Sequence, residues 1–483
     1  MRRRQFLGQA TGMGMALALG PSFWKGALAA TAQDGASPYG ELGDPDGNGL
    51  QLPAGFTSRV VATSLAPVPG TTHVWHAFPD GGACVPTDDG GWIYVSNSEN
   101  PPPADVPLAT TLLSYVGLGG VGAIRFDADG EVVDAYPVLT GSTSNCAGGL
   151  TPWGTWLSCE EWEEDTPYSA GKVWECDPFG GPAFDRPSLG RFKHEMAAVD
   201  PDRHHVYLSE DQPDGLLYRY TPPVGVWGAS AALEGGTLDA MAVDGDGAVT
   251  WLPVANAAAP SAPLRTSVTG AATFDGGEGL VYDDGHLYLT TKGDDRVWVH
   301  DIVAGTMAVL YDAVALVDPV LTGVDNLVVS AAHDLYVAED GGNLEICVVT
   351  PERAVFPVVR MTGAQHGVPT GTPLPTMSEV TGLALSPDGN RLYFCSERGQ
   401  GLLPIGPGPG ILYEVTGPFR GGTLAETPPD PPPPSAPGPT APPTATGGGG
   451  RLPATGGGGA TPVAAALGAA GAAAWALRRR LQP

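Results

Sequence analysis

The sequence predicts an all-β protein built as a six-bladed β-propeller, and three observations support this fold class. Short apolar stretches are interrupted by Asp-Gly turns, as in DADGEVV, DDGHLYL and PDGNRLYF, which is the pattern of β-hairpins. No long apolar pattern with the 3.6-residue period of a helix occurs between residues 38 and 426. The strand–turn–strand pattern also recurs along this region, which favours a repeat architecture over a single sandwich.

Each repeat consists of an apolar strand, a turn, a second apolar strand, an acidic or polar cluster and then a third strand. The first strand follows an acidic or small polar residue. About six such units occur, at 82–100, 148–162, 194–222, 277–301, 324–351 and 378–399, the last completed by 410–415. We therefore expect residues 38–426 to form one propeller with about six blades.

Residues 1–29 have the features of an export signal. Arg2, Arg3 and Arg4 precede Phe6 and Leu7, an apolar stretch without acids follows, and Ala-Leu-Ala at 27–29 is a small-residue cleavage site. The RRxFL pattern resembles a twin-arginine (Tat) signal, although the ordinary secretory route stays open. The Tat translocase carries folded proteins, so a cofactor could be inserted before export.

The C-terminal region has two predicted parts. Residues 427–451 are rich in Pro, Gly and Thr and are typical of a disordered linker. Residues 452–483 contain LPATG, an Ala-rich apolar segment and three arginines, which resembles a sortase sorting signal. Cleavage between Thr455 and Gly456 would attach the protein to peptidoglycan at a cell surface of the Gram-positive type. A poor transmembrane anchor is the alternative, because the apolar run is near the lower length limit for spanning.

The net charge limits the possible partners. The chain has 24 Lys and Arg against 52 Asp and Glu, a net charge of −28. Both predicted processing events together remove seven basic residues and no acid, which leaves 17 against 52, or −35. This charge argues against nucleic acid and anionic membranes as partners. It fits either a solvated acidic surface or carboxylates gathered around cations.

Six cysteines are present, and an even number in an exported protein indicates disulfides, although their pairing cannot be deduced. The spacings match no CxxC-type zinc site. Cys159 directly precedes Glu160 and Glu161 in LSCEE. A thiolate beside carboxylates fits a metal site, whereas a half-cystine or a buried thiol is the simpler interpretation.

Propeller geometry predicts where the repeated acids meet. The residues before the first strand and after the second strand of each blade lie on the same rim of the central channel. Converging carboxylates cannot all stay ionised without bound cations or raised pKa values. Oxygen ligands suit Ca²⁺, and a thiolate adds affinity for a softer transition metal. We therefore expect bound cations at the central channel, where these rim positions meet: Glu195 with Glu210 or Asp211, Glu278 with Thr290 or Thr291, Asp325 with Glu339 or Asp340, Glu379 with Ser396 or Glu397, and Glu160 and Glu161 at the equivalent strand end.

Several blocks of the chain resemble the PhoX family of Tat-exported alkaline phosphatases. The most specific is NCAGGLTPWGTWLSCEE (145–161), and the others include GRFKHEMAAVDP, FDGGEGLVYDDGHLYLTT and SEVTGLALSPDG. The resemblance implies a six-bladed propeller with iron (Fe³⁺) and calcium (Ca²⁺) that binds phosphate monoesters. It implies Cys159 as an iron ligand. It implies iron or calcium ligands at Glu160, Glu195, Glu278 and Glu379, with Asp325 and Glu339 as further calcium ligands.

The resulting hypothesis is a cell-surface, metal-dependent phosphatase acting on extracellular phosphate esters, and we expect a monomer. Lys292 and Arg398 fall at predicted strand ends and could contact the substrate, or they are ordinary surface charges. SERGQG around Arg398 departs from the family pattern of a glutamine and a proline-containing turn. Two alternatives stay open: a non-catalytic, calcium-stabilised binding propeller, and a lactonase-like propeller hydrolase using one carboxylate-bound calcium.

Overall fold

The computed structural model describes residues 31–100, 119–163, 170–258, 260, 262–366, 378–400 and 407–426. The predicted signal peptide, the linker and the sorting signal with Thr455 and Gly456 lie outside these residues. Among the described residues, no helix is long and apolar enough to cross a membrane.

The first three strands belong to blades that are completed much later in the chain. They are β1 (Gln33–Asp34), β2 (Leu50–Gln51) and β3 (Thr57–Thr63). Strands β1 and β2 pair with the outer strand of the fifth blade, and β3 forms the outer strand of the sixth. An N-terminal strand therefore joins the last blade to the first and closes the ring.

Blades one to three follow in sequence, each with its strands ordered from the channel outwards. Blade one comprises β4 (Pro79–Pro86), β5 (Trp92–Ser98), β6 (Gly119–Phe126) and β7 (Val132–Ser142). Blade two comprises β8 (Asn145–Leu150), β9 (Trp156–Glu160), β10 (Val173–Cys176) and β11 (Phe184–Asp185). Blade three comprises β12 (His194–Asp200), β13 (His205–Glu210), β14 (Leu217–Thr221), β15 (Thr237–Val243) and β16 (Val249–Pro253).

Blades four to six repeat the same plan. Blade four comprises β17 (Gly277–Asp283), β18 (His286–Thr291), β19 (Arg296–Asp301) and β20 (Thr306–Asp312). Blade five comprises β21 (Val324–Val329), β22 (Leu335–Glu339), β23 (Glu345–Val349) and β24 (Ala354–Met361). Blade six comprises β25 (Val380–Leu385), β26 (Arg391–Ser396), β29 (Ile411–Thr416) and β3, and β27 (Gly399–Gln400) pairs with β28 (Pro407–Gly408) as a separate hairpin.

Short 3₁₀ helices occur in the connections between strands and near the end of the described chain, at Pro187–Leu189, Ser230–Leu233, Leu264–Ser267, Ala313–Ala315, Gly363–Gln365 and Thr423–Glu426. The innermost strands contact one another in the order β4, β8, β12, β17, β21, β25 and back to β4. The structure of the described residues therefore confirms the predicted all-β fold with six blades.

The hydrophobic core is divided among the boundaries between blades. Six clusters of buried side chains are present in the described residues, and each joins two neighbouring blades. Between blades two and three, for example, Leu157 and Val173 pack with Ala197 and Leu208. Because burial of apolar surface is spread around the ring, each blade is held by both of its neighbours.

The innermost strand of every blade carries a β-bulge at the same place. In blade one, Pro79 pairs with Ser98 and Gly82 with Ser96, so one extra residue lies on the inner strand. The same shift occurs in the other five blades. A bulge takes a residue out of the ladder and redirects its side chain, which happens in five blades; in blade six the bulge is at Gly382.

Candidate metal centre

Six side chains, one from each blade, form an inner ring at the start of the innermost strands. In five blades the ring residue directly follows the last regular pair before the bulge, and in blade six it directly precedes β25. The inner ring consists of Asp80, Cys146, Glu195, Glu278, Asp325 and Glu379. None of these residues is more than 6% exposed.

Blade six departs from the pattern because its bulge position is Gly382. This glycine has φ of +66°, and a Cβ added to it would lie 2.6 Å from the hydroxyl of Tyr94. No side chain fits there, since the main chain of blade six packs directly against blade one. The sixth side chain of the inner ring therefore comes from Glu379 instead.

A second set of side chains, the outer ring, comes from the residue that follows each second strand. The outer ring consists of Glu99, Glu161, Asp211, Lys292, Asp340 and Glu397. Ligand atoms of the two rings lie within 4.8 Å of one another in four groups: Glu99–Cys146–Glu161, Glu195–Glu278–Asp325, Asp325–Asp340–Glu379 and Glu99–Glu379–Glu397. Shared members join the first group to the fourth and the second to the third. The groups lie at one end of the channel, as the sequence geometry predicted.

Three basic side chains lie among these acids. Lys193 Nζ is 2.8 Å from carboxylate oxygens of both Glu161 and Asp211. Lys292 Nζ lies 2.7 Å from Glu278 and 3.2 Å from Asp340.

Arg398 is the third, and its guanidinium is 2.5 Å from Glu379 and also contacts Glu397. The two rings hold ten carboxyl groups, so three basic groups neutralise only part of their charge.

Burial and mutual repulsion shift the acids of the inner ring. Burial is the largest cause that raises the pKa of Glu195 well above its usual value, and Glu278 and Glu161 raise it further. Burial likewise raises the pKa values of Asp80 and Glu278. Without added positive charge these sites favour protonated carboxyls; a bound cation would reverse that preference.

The thiol of Cys146 lies between two of these acids. Its Sγ lies 3.1 Å from Asp80 Oδ2 and 3.0 Å from Glu195 Oε1, so its single S–H can donate to either acid, and burial raises its pKa well above the usual value. Oε2 of Glu195 is buried and has no hydrogen-bond partner among the residues that the structure describes. The donor set of hard carboxylate oxygens, one sulfur and one unsatisfied oxygen fits bound metal ions.

The structure brings six of the nine predicted metal and substrate residues to this cluster. Glu195, Glu278, Asp325 and Glu379 belong to the inner ring. Lys292 and Arg398 lie beside them and pair with ring carboxylates. That these residues bind metal or substrate stays a prediction.

The structure places Glu160 and Glu339 elsewhere. Each is the last residue of a second strand, and strand alternation turns its side chain into the blade. Glu160 Oε2 accepts from the main-chain N–H groups of Ala170 and Lys172 at 3.0 and 3.1 Å. It is the following residue, Glu161, that reaches the channel.

Glu339 accepts from the N–H groups of Thr322 and Glu345, each at 2.9 Å, and burial raises its pKa to about 8. It forms a separate buried group with Glu345 and Cys347, in which Glu345 is paired with Arg360. In blade five, Asp340 takes the place at the channel that was expected for Glu339.

Cys159 is also outside the groups of ligand atoms that the structure brings together. It is fully buried in the core between blades two and three, among Leu157, Val173 and Ala197, and burial raises the pKa of its thiol. The sulfur at the channel is that of Cys146, from the same sequence block. All six cysteines are free thiols, so the expectation of disulfides is not met.

Sequence reasoning missed Asp80, Glu99 and Cys146 as ring residues, and it placed Glu161, Asp211, Asp340 and Glu397 at the rim without assigning them as ligands. A signal for Cys146 was present, because aligning NCAGG with HEMAA and GEGLV puts Cys146 at the position of Glu195 and Glu278. Glu161 would have followed from the alternation of side chains along β9.

The fold and the two rings define a six-bladed propeller with a buried acidic centre suited to metal ions. A family model described as alkaline phosphatase PhoX matches residues 119–305, which include Cys146, Glu161, Glu195 and Glu278. No curated protein matches the chain significantly.

A solved PhoX structure shares the fold. PhoX from Pseudomonas fluorescens, in complex with the transition-state analogue vanadate, is 18% identical with a TM-score of 0.60, covering 80% of this chain and 98% of that one. A gluconolactonase from Xanthomonas campestris is 13% identical with a TM-score of 0.38, covering 80% and 94%. The family match supports the prediction of a phosphoric ester hydrolase, and the PhoX structure shares the propeller fold.

Proposed function

We propose that the protein is a metal-dependent hydrolase of phosphate esters, with iron and calcium held by the two rings at the channel. The observation that carries the proposal is the buried excess of carboxylates around one thiol. Ten carboxyl groups meet three basic groups there, and a protein cannot keep such a site ionised without cations.

The residues divide by donor type. Cys146 is the sulfur ligand for iron, in place of Cys159, with Asp80 and Glu195 against its Sγ. Carboxylates of the second and third groups, such as Glu278, Asp325 and Asp340, are oxygen ligands for calcium. When bound, the metal ions supply positive charge for the non-bridging oxygens of a phosphate dianion and activate a nucleophile.

Besides bound metal ions, the basic side chains at the channel provide positive charge for binding a phosphate group. Lys193, Lys292 and Arg398 each contact two ring acids at the channel, which holds their positive charges beside the candidate metal centre. Arg398 can present two parallel N–H groups to a phosphate oxygen pair, and the lysines act as point charges. Their role is to bind and orient the substrate in an otherwise acidic protein.

The experiment that tests this proposal is hydrolysis of p-nitrophenyl phosphate by protein folded in its native host and purified without chelators. We expect turnover at alkaline pH, and a loss of at least about 100-fold in the Glu195→Gln variant. Glu352→Gln is the matched control, since Glu352 is an exposed acid outside the rings. Equal turnover in the Glu195→Gln variant and the wild type would contradict the proposal.

We also propose export by the Tat translocase and covalent display at the cell wall, which would make the substrate extracellular. The support is the RRxFL and LPATG patterns at the two ends of the sequence. Thr455→Ala should move the protein from the wall fraction into the medium. Unchanged retention in the wall would exclude sortase attachment.

A further inference from the structure

A buried polar side chain near the end of the second strand bonds to the ring residue of the next blade. In blade four, Thr290 Oγ1 donates to the main-chain oxygen of Asp325 at 2.6 Å. In blade three, Ser209 Oγ donates to the main-chain oxygen of Glu278 at 2.6 Å. In blade one, Asn97 Nδ2 donates to that of Cys146 at 3.0 Å.

The three donors occupy one structural position. Each is the penultimate residue of its second strand, β5, β13 or β18, and none is more than 1% exposed. Each crosses a blade boundary to reach its acceptor.

The acceptors share a position as well. Every one is the main-chain oxygen of an inner-ring residue, which lies at a bulge and is displaced from the strand ladder. A buried carbonyl without a donor is costly, so the peptide would turn to find another partner.

We infer that Asn97, Ser209 and Thr290 are positioning residues for the metal centre. Each fixes the main chain of a ring residue in the following blade and thereby aims that residue's side chain into the channel. The inference rests on the proposed function, because its consequence is measured as metal affinity.

The same position in blade two is occupied by Cys159, the penultimate residue of β9. Blade two neighbours blade three, whose ring residue is Glu195. At this position Cys159 packs in the hydrophobic core between blades two and three.

A matched control for Thr290 is available in the same strand. Thr291 is the next residue, is also fully buried, and faces into the blade, where its hydroxyl bonds to Asp294 and to the indole of Trp298. Thr290→Val and Thr291→Val remove the same atoms from adjacent positions, and only the first breaks a bond to the ring.

The test is calcium titration of metal-stripped protein by isothermal calorimetry. We expect Thr290→Val to weaken Ca²⁺ binding by about tenfold or more, with Thr290→Ser restoring it and Thr291→Val leaving it unchanged. Ser209→Ala, which removes the bond to Glu278, is a second variant in case Thr290→Val does not fold.

Each result decides the matter. Ca²⁺ affinity in Thr290→Val or Ser209→Ala equal to that of the wild type would overturn the positioning role and leave the proposed function intact. Equal losses in Thr290→Val and Thr291→Val would also overturn it, as a general packing effect. Wild-type protein that binds no calcium would overturn both the positioning role and the proposed metal site.

Discussion

The thiol of Cys146 lies 3.0 Å from Oε1 of Glu195, and these two residues come from neighbouring blades. Both stand at the same bulge position of their innermost strands. A neutral thiol donating to a buried acid is the arrangement without a cation, since burial raises the pKa of both groups. Metal binding would release protons from both, so we expect metal affinity to rise with pH.

Removal of metal should destabilise the protein. Without the cations the ring carboxyls must either repel one another or take up protons, and metal binding to the native state alone stabilises by mass action. We expect chelator-treated protein to melt at a lower temperature, with full recovery on adding Ca²⁺ and iron. Thermal unfolding with and without chelator measures this, and identical melting curves would contradict a structural role for the metals.

Neighbouring acids in blade two should behave differently. Glu161→Gln removes a channel carboxylate and should lower metal affinity. Glu160→Gln should instead cost about 1–3 kcal/mol of folding free energy, because its carboxylate accepts two main-chain N–H groups and the Trp174 indole. Calorimetric metal titration and urea unfolding of both variants measure these effects. Loss of metal affinity in Glu160→Gln and loss of stability in Glu161→Gln would show that Glu160, and not Glu161, faces the channel.

Replacing Lys292 by Met should affect both substrate binding and stability. The change leaves Glu278 and Asp340 without their shared cation, so metal-free protein should lose roughly 1–3 kcal/mol. In the metal-loaded enzyme the expected effect is a raised KM for p-nitrophenyl phosphate. Arg360→Met provides a comparison, since Arg360 pairs with Glu345 away from the rings. An unchanged KM in the Lys292 variant would remove this lysine from the substrate site.

Asp334 gives a pH dependence that is separate from the metal centre. It is fully buried, and burial raises its pKa from 3.8 to about 6, with Arg420 lowering it and Glu352 raising it. Because the folded pKa is the higher one, the native state binds the proton more tightly and stability falls as pH rises from about 4 to 6. Above pH 6 the ionised Asp334 lowers the free energy of unfolding by about 3 kcal/mol.

The stability of Asp334→Asn relative to the wild type should therefore increase as the pH rises from 4 to 8. Urea unfolding of both proteins at the two pH values measures the difference, in which other titrating groups largely cancel. A difference that is the same at both pH values would show that Asp334 does not titrate with a raised pKa.

The fold was predictable because its local signals repeat. Asp-Gly turns and alternating strands are short-range features, and six copies of them leave few architectures. Glu195, Glu278 and Asp325 were found at the channel because each directly precedes an apolar strand. The ring closure by β3 and the pairing of β1 with β24 could not be predicted, since they join residues that are far apart in the sequence, such as Gln33 with Ala354 and Thr57 with Thr416.

The ring was only partly predictable because the bulge changes which side chain faces the channel. Asp80 lies in a glycine-rich segment, PDGGAC, without the strand signal of the other blades. Cys159 was predicted as a ligand because two glutamates follow it. Successive side chains of a strand face opposite sides, however, so a shift of one residue decides whether a side chain faces the blade interior or the channel. Glu160 and Glu339 were expected at the channel for the same reason.

The measurement that tests the central claim most directly is elemental analysis of the wild type, Cys146→Ser and Cys159→Ser, each purified without chelators from the native host. The two cysteines are matched, since both are buried thiols in blade two. We predict iron and calcium in the wild type, loss of iron in Cys146→Ser, and retention of iron in Cys159→Ser. Iron lost from Cys159→Ser but kept in Cys146→Ser, or absent from the wild type, would contradict the account.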